Sequence, residues 1–161
     1  MKRSTSGSRI AALQQTAMFG AVDEETVAFL VERAESVEVA AGDLFFREGE
    51  IGNSAYLLES GEASVFREWR GEAVVLRQLT QGDCFGEVSL LDLGRRSASV
   101  RADLDSCALE IRARDLHAVV TRDPEQFALI YMNLGRELSR RLRSADERLF
   151  RAHFEGGLPT K

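Results

Sequence analysis

The part of this sequence best equipped to hold a small anion is residues 85–100, FGEVSLLDLGRRSASV. Gly86 permits close approach of the backbone to a ligand. The residues Glu87-Val88-Ser89-Leu90-Leu91 can close one short helical turn, and the N–H groups that open such a turn favour an anion. Gly94 reverses the chain, and Arg95-Arg96 follow at once with the Ser97 hydroxyl beside them. Backbone amides, a guanidinium and a hydroxyl are the donors that one phosphate needs. Arginine suits it better than lysine because its rigid fork donates two parallel hydrogen bonds. Glu87 is a carboxylate beside that anion site, which is unfavourable unless it accepts from a neutral hydroxyl. A ribose 2′-OH is such a group. The stretch calls for a ligand that carries a phosphate and a sugar hydroxyl a few ångströms apart.

The surrounding pattern supplies elements to position these groups. Residues 9–19, RIAALQQTAMF, place Ile10, Leu13, Ala17 and Met18 at nearly helical spacing. Asp23 can cap a second helix over 23–34, with Val27, Leu30 and Val31 on one face. From Val37 to about Ile111 the chain breaks into short β-rich runs between glycine turns: SVEVA, DLFFRE, AYLLES, EASVFREW, AVVLRQL, SASVRA and CALEIRA. Runs at this spacing predict an antiparallel sandwich or barrel. After Ala113 helical spacing returns. A short helix stops before Pro124, and a long one starts there, where a proline fits the first turn. Phe127, Tyr131, Leu134, Leu138, Leu142, Ala145 and Leu149 form a nearly straight apolar seam along it. The expected fold class is α+β: an antiparallel β-roll of jelly-roll type, flanked by N-terminal helices and a long C-terminal helix. The boundaries read as an unstructured N-terminus at 1–8, one domain including its last helix at 9–152, and a flexible tail at 153–161.

Composition removes several function classes. A chain of 161 residues, 44% hydrophobic and 29% charged, has the make-up of one soluble globular domain. Cys84 and Cys107 form no CxxC, which excludes a tetrathiolate metal site within one chain. His117 and His153 stand far apart, with no HxH or HExxH, and no nucleophile–base pair is evident, so no metal site, cofactor or enzyme activity is expected. A net charge of −5 argues against direct nucleic-acid binding by the whole surface. Apolar runs of a few residues fall far short of the ~20 needed to span a membrane. The basic N-terminus lacks the apolar stretch of a secretory signal. These features together point to a cytoplasmic protein with reduced thiols.

The segment FGEVSLLDLGRRSASV resembles the phosphate-binding cassette of the cyclic-nucleotide-binding domain family at full length and in spacing. The resemblance extends upstream through AGDLFFREGE, AYLLESGEASVF and QGDCFGE and downstream into the last helix, from about Ile10 to Phe150. It implies that Glu87 holds the ribose 2′-OH. Arg96 pairs with the cyclic phosphate, helped by Ser97, the adjoining Ala98, and the amides of Gly86 and of Val88 or Ser89. Arg95 lies off the family's arginine position and is expected to face solvent. Val65, Leu76 and Leu79 match apolar positions that wall the purine, with plain core packing as the other reading of all three. The segment SRRLRSADERL resembles the matching helix of the catabolite-activator branch of that family. Where that branch presents Thr-Ser to adenine, this chain has Ala145-Asp146, so Asp146 can accept from adenine or from guanine, and the base is left open. Arg141 is a further candidate for base or phosphate contact.

The resemblance implies a regulatory, non-enzymatic sensor for cAMP or cGMP. It would be a homodimer through its C-terminal helix, signalling to a separate effector protein, without direct contact to nucleic acid or membrane. The chain stops about ten residues past that helix, too short for an appended DNA-binding module, and it begins with Met1. The expectation is therefore a stand-alone module. The alternatives are a fragment of, or partner to, a transcription regulator or channel, and a degenerate domain that takes another nucleotide such as cyclic di-GMP.

Overall fold

The computed structural model describes the backbone of residues 2–155 and the side chains of residues 7–154. Two helices, α1 (Lys2–Gln14) and α2 (Glu24–Arg33), precede eight strands: β1 (Glu35–Val39), β2 (Leu44–Phe46), β3 (Ser54–Ser60), β4 (Ala63–Trp69), β5 (Glu72–Leu79), β6 (Cys84–Phe85), β7 (Ser99–Ala102) and β8 (Ser106–Arg112). A short helix α3 (Glu87–Leu91) interrupts them between β6 and β7, and α4 (Ala113–Arg122) and α5 (Pro124–Glu155) close the fold. The order matches the α+β reading. Helix α1 starts at Lys2, ahead of residue 9 where order was expected to begin, and α5 runs through 153–155 of the expected tail, whose remainder lies outside the described residues.

The strands form two antiparallel sheets, ordered β1-β8-β3-β6 and β2-β7-β4-β5. Alternation along a strand sends successive side chains to opposite faces, and the first sheet is covered on both. Ala55 and Leu57 of β3, with Leu109 and Ile111 of β8, pack against the helices in a core that includes Phe19, Leu30, Leu116, Ile130 and Leu134. Tyr56 and Leu58, with Ala108, face the second sheet and join Phe46, Ala63, Leu79, Phe85 and Val100 between the sheets. This double burial is why AYLL reads as an unbroken apolar run.

Local chemistry sets the joints. Asp23 caps α2, its Oδ1 accepting from the Thr26 amide at 2.6 Å. The β4–β5 hairpin turns on Arg70 and Gly71, both at positive φ, the two-residue geometry that follows strand twist. A β-bulge shifts the register of that hairpin: Val65 pairs with Arg77 and Phe66 with Val75, so Leu76 is the extra residue.

Candidate functional site

The phosphate-type donors sit on a segment pinned at both ends. Strand β6 ends at Phe85, and Gly86, with a φ of 75°, caps the start of α3. The Gly94 amide donates to Asp92 Oδ1 at 2.8 Å, turning the chain back. The Arg96 amide then donates to Glu50 O at 2.8 Å, and Arg96 O accepts from Gly49 N at 2.8 Å. Extended backbone here puts neighbouring arginines on opposite sides. Arg95 is exposed and donates to Gly49 O, as its predicted solvent-facing place requires. Arg96 turns inward and is only 5% exposed.

The Arg96 guanidinium is held by neutral oxygens. Nη1 donates to Ser54 O and Gly86 O, each at 2.7 Å, and to Ser89 Oγ at 2.9 Å. Nη2 donates to Ser54 Oγ at 3.1 Å. Phe46 lies under it with the ring centroid 4.2 Å from Cζ, and Tyr56 stands at 5.5 Å. Among the described residues no carboxylate is in ion-pair contact with it. The nearest link to one is indirect, through Ser54 Oγ, which donates to Glu110 Oε1 at 2.7 Å. Burial pushes the guanidinium's pKa down from its usual value, yet an arginine stays charged at neutral pH. Among the described residues these hydrogen bonds leave Nε–H and one Nη2–H without an acceptor, and these are donors that can grip an anion side by side.

Glu87, at the start of α3, is 1% exposed. Its Oε1 accepts from Arg141 Nη1 of α5. Among the described residues its Oε2 has no hydrogen-bond partner, the kind of orphan that a buried carboxylate rarely tolerates without a role. Arg141 is itself fixed by Cys84 O at 2.6 Å and by Glu137 at 3.0 Å. Arg77 reaches the same Cys84 O at 3.0 Å, and its pKa is lowered, first by burial and then by the neighbouring Arg141 charge.

Arg96 and Glu87 line one cavity of about 220 Å³. Phe46, Val65, Leu76, Phe85 and Val100 supply apolar walls, with Gly86, Val88, Ser89, Ser97 and Ala98 from the cassette. Helix α5 contributes Arg141, Ala145 and Arg148. A positive group and a carboxylate thus converge on an apolar slot, the usual make-up of a small-molecule site. A larger groove of about 650 Å³ lies elsewhere, between α1, β3 and α5, where Arg9 pairs with Glu59 and Arg140 with Glu137, and Asp83 accepts from the Thr80 amide.

The family model for the Cyclic nucleotide-binding domain matches residues 36–123. The chain belongs to that family. A relative, the Cyclic AMP receptor protein of Thermus thermophilus, is 40% identical over 115 residues, 71% of this chain and 51% of that protein. The chain therefore spans about half the length of this relative. The crystal structure of the Thermus thermophilus Catabolite Activator Protein superposes with a TM-score of 0.75 at 35% identity, over 87% of this chain and 64% of that one. The regulatory domain of Toxoplasma gondii PKA, solved with cAMP, gives a TM-score of 0.65 at 26% identity, over 73% and 45% of the two chains.

Within this cyclic nucleotide-binding domain, the cavity gathers eleven of the thirteen residues singled out from sequence: Gly86, Glu87, Val88, Ser89, Arg96, Ser97, Ala98, Val65, Leu76, Arg141 and Ala145. Leu79 and Asp146 stand outside it. Leu79 pairs opposite Ala63 and is fully buried between the sheets, so for this residue the core reading is the one the structure supports. Asp146 follows Ala145, and one residue turns a helix by about 100°. The step carries Asp146 off the cavity face to an exposed position. Arg141, the candidate for base or phosphate contact, lines the cavity and ties α5 to Glu87.

Several contributors were missed. Gly52 is one: a Cβ there would collide with Arg96 Nε and Ser89 Oγ. Ser54, Phe46, Arg77 and Arg148 are others. The sequence carried a usable signal for Gly52, a glycine three residues after the Gly49 turn. The rest depend on which distant elements meet.

Proposed function

We propose that this domain binds one cyclic purine mononucleotide, cAMP or cGMP, and acts as a regulatory module rather than an enzyme. Arg96 holds the cyclic phosphate through Nε–H and Nη2–H, with Ser97 and the amides of Gly86 and of Val88 or Ser89 around it. Glu87 Oε2 accepts from the ribose 2′-OH. Val65 and Leu76 flank the base, and Ala145 covers it from α5. The observation that carries this reading is the pair of buried groups on one small cavity: a guanidinium without a carboxylate partner, and a carboxylate oxygen without a donor. Each offers what the cyclic phosphate–ribose unit lacks. A cavity of this size favours a mononucleotide over cyclic di-GMP.

The output runs through α5. Its N-terminal half is packed, with Ile130 and Leu134 buried, whereas Leu142, Leu149, Phe150 and Phe154 are 61–73% exposed. These apolar side chains support a homodimer through α5, with a separate effector protein as the receiver of the signal. Calorimetry with cAMP, cGMP and cyclic di-GMP side by side tests the ligand. One-to-one binding of a mononucleotide per chain, with no heat from cyclic di-GMP, is expected. Binding of cyclic di-GMP alone, or of none of the three, contradicts the reading.

A further inference from the structure

The C-terminal half of α5 places one charged side chain on the nucleotide cavity that the cassette does not account for. Arg148 lines the cavity, and its Nη1 donates to Leu76 O at 3.2 Å. Leu76 is the bulged residue of β5, so its carbonyl lies where the strand ladder is interrupted. Among the described residues Arg148 has no carboxylate partner, in contrast to Arg140, Arg141 and Arg151 on the same helix. It is anchored at the cavity with donors to spare.

Its level along the helix points to what it meets. Arg148 is seven residues beyond Arg141, two turns or about 10 Å along the axis and on nearly the same face. Arg141 marks the level of the sugar through its bond to Glu87. If the nucleotide sits as proposed, the base extends from the sugar along this wall and its far edge reaches Arg148. Ala145, one turn earlier, brings no polar side-chain atom, Asp146 faces away, and Arg77 is engaged with Cys84 O.

We infer that Arg148 is a specificity-determining residue that reads the O6/N7 edge of the purine. A guanidinium only donates. Guanine presents two adjacent acceptors on that edge, O6 and N7, which an arginine takes together. Adenine presents N7 beside an N6 amine, so one arginine donor faces another donor. Arg148 therefore favours a guanine-type base relative to what the apolar walls alone would accept.

This inference rests on the nucleotide reading of the site, and the test separates the two. Wild type, Arg148→Ala and Arg148→Lys are titrated by calorimetry with cGMP, cAMP and cyclic inosine monophosphate, which keeps O6 and N7 but has no 2-amino group. Arg148 is exposed on a helix, so its removal should leave the fold intact, as circular dichroism will check. The alanine variant should lose about tenfold in affinity for cGMP and for the inosine nucleotide, and less than about threefold for cAMP. Lysine, a point donor, should restore only part of the loss. An equal change for all three ligands overturns the inference and leaves the nucleotide site standing. So does a loss for cGMP that the inosine nucleotide does not share, because the 2-amino edge would then be the one read. Absence of binding by wild type overturns both.

Discussion

The two sides of the proposed nucleotide cavity are built differently. The cassette side is over-determined: Arg96 makes four hydrogen bonds from two nitrogens, sits on an aromatic face, and is clamped at its backbone by Gly49 and Glu50. The α5 side is held by two arginines that reach across to Glu87, Cys84 O and Leu76 O, with exposed apolar residues between and beyond them. A rigid half that recognises and a lightly held half that covers is the arrangement a ligand can use to bias a conformational equilibrium. Such a bias requires the ligand to contact the helix differently in its two positions.

The contrast is broken most severely at Arg96. Arg96→Ala leaves the phosphate without its counter-charge in a buried site, at a cost of about 3–5 kcal/mol, or roughly 10²–10³-fold in affinity for cAMP and cGMP alike. Titration of a variant shown to be folded checks it, and a loss confined to one base would mean that Arg96 does not hold the shared phosphate. A smaller effect is expected from Gly52→Ala, which touches no ligand. Its methyl group would crowd Arg96 Nε and Ser89 Oγ, and overpacking of this kind costs about 1–3 kcal/mol. Binding should weaken for every nucleotide, and a variant that binds like wild type would show that the Arg96 side chain is free to shift.

On the lightly held side, amide exchange between Arg136 and Phe150 should slow when nucleotide binds, while exchange in β3 and β8 barely changes. Uniform slowing of the whole chain would make the two sides equivalent. The smallest effect belongs to Arg95→Ala, an exposed arginine whose removal should cost about 0–1 kcal/mol. A loss there that exceeds the loss at Arg96 would overturn the cassette register.

The same contrast explains what could be read from the sequence. The cassette is contiguous, so Gly86, Glu87, Arg96 and Ser97 appear in one string with their spacing intact. The strands announced themselves as β-rich runs between glycine turns, apart from β6, whose two residues are too few to form such a run. The helix wall is different. Whether Ala145, Asp146 or Arg148 faces the cavity depends on how α5 is rotated against a β-roll distant in the sequence, and Ala145-Asp146 drew attention by position in the string alone. The bulge at Leu76 likewise turns two consecutive residues toward the cavity, which simple alternation forbids. Leu79 carries the apolar character of a base-lining residue but occupies the core, a distinction that hydrophobicity cannot make.

The central claim, that two incompletely satisfied buried groups read the phosphate and the 2′-OH of one ligand, is tested most directly by a double cycle at the sugar. Wild type and Glu87→Gln are titrated with cAMP and with 2′-deoxy-cAMP. Each single change should remove a charge-assisted hydrogen bond of about 1.5–3 kcal/mol, and the two together should cost little more than either alone. Additive losses would show that Glu87 does not touch the 2′-OH and would contradict the account of the site.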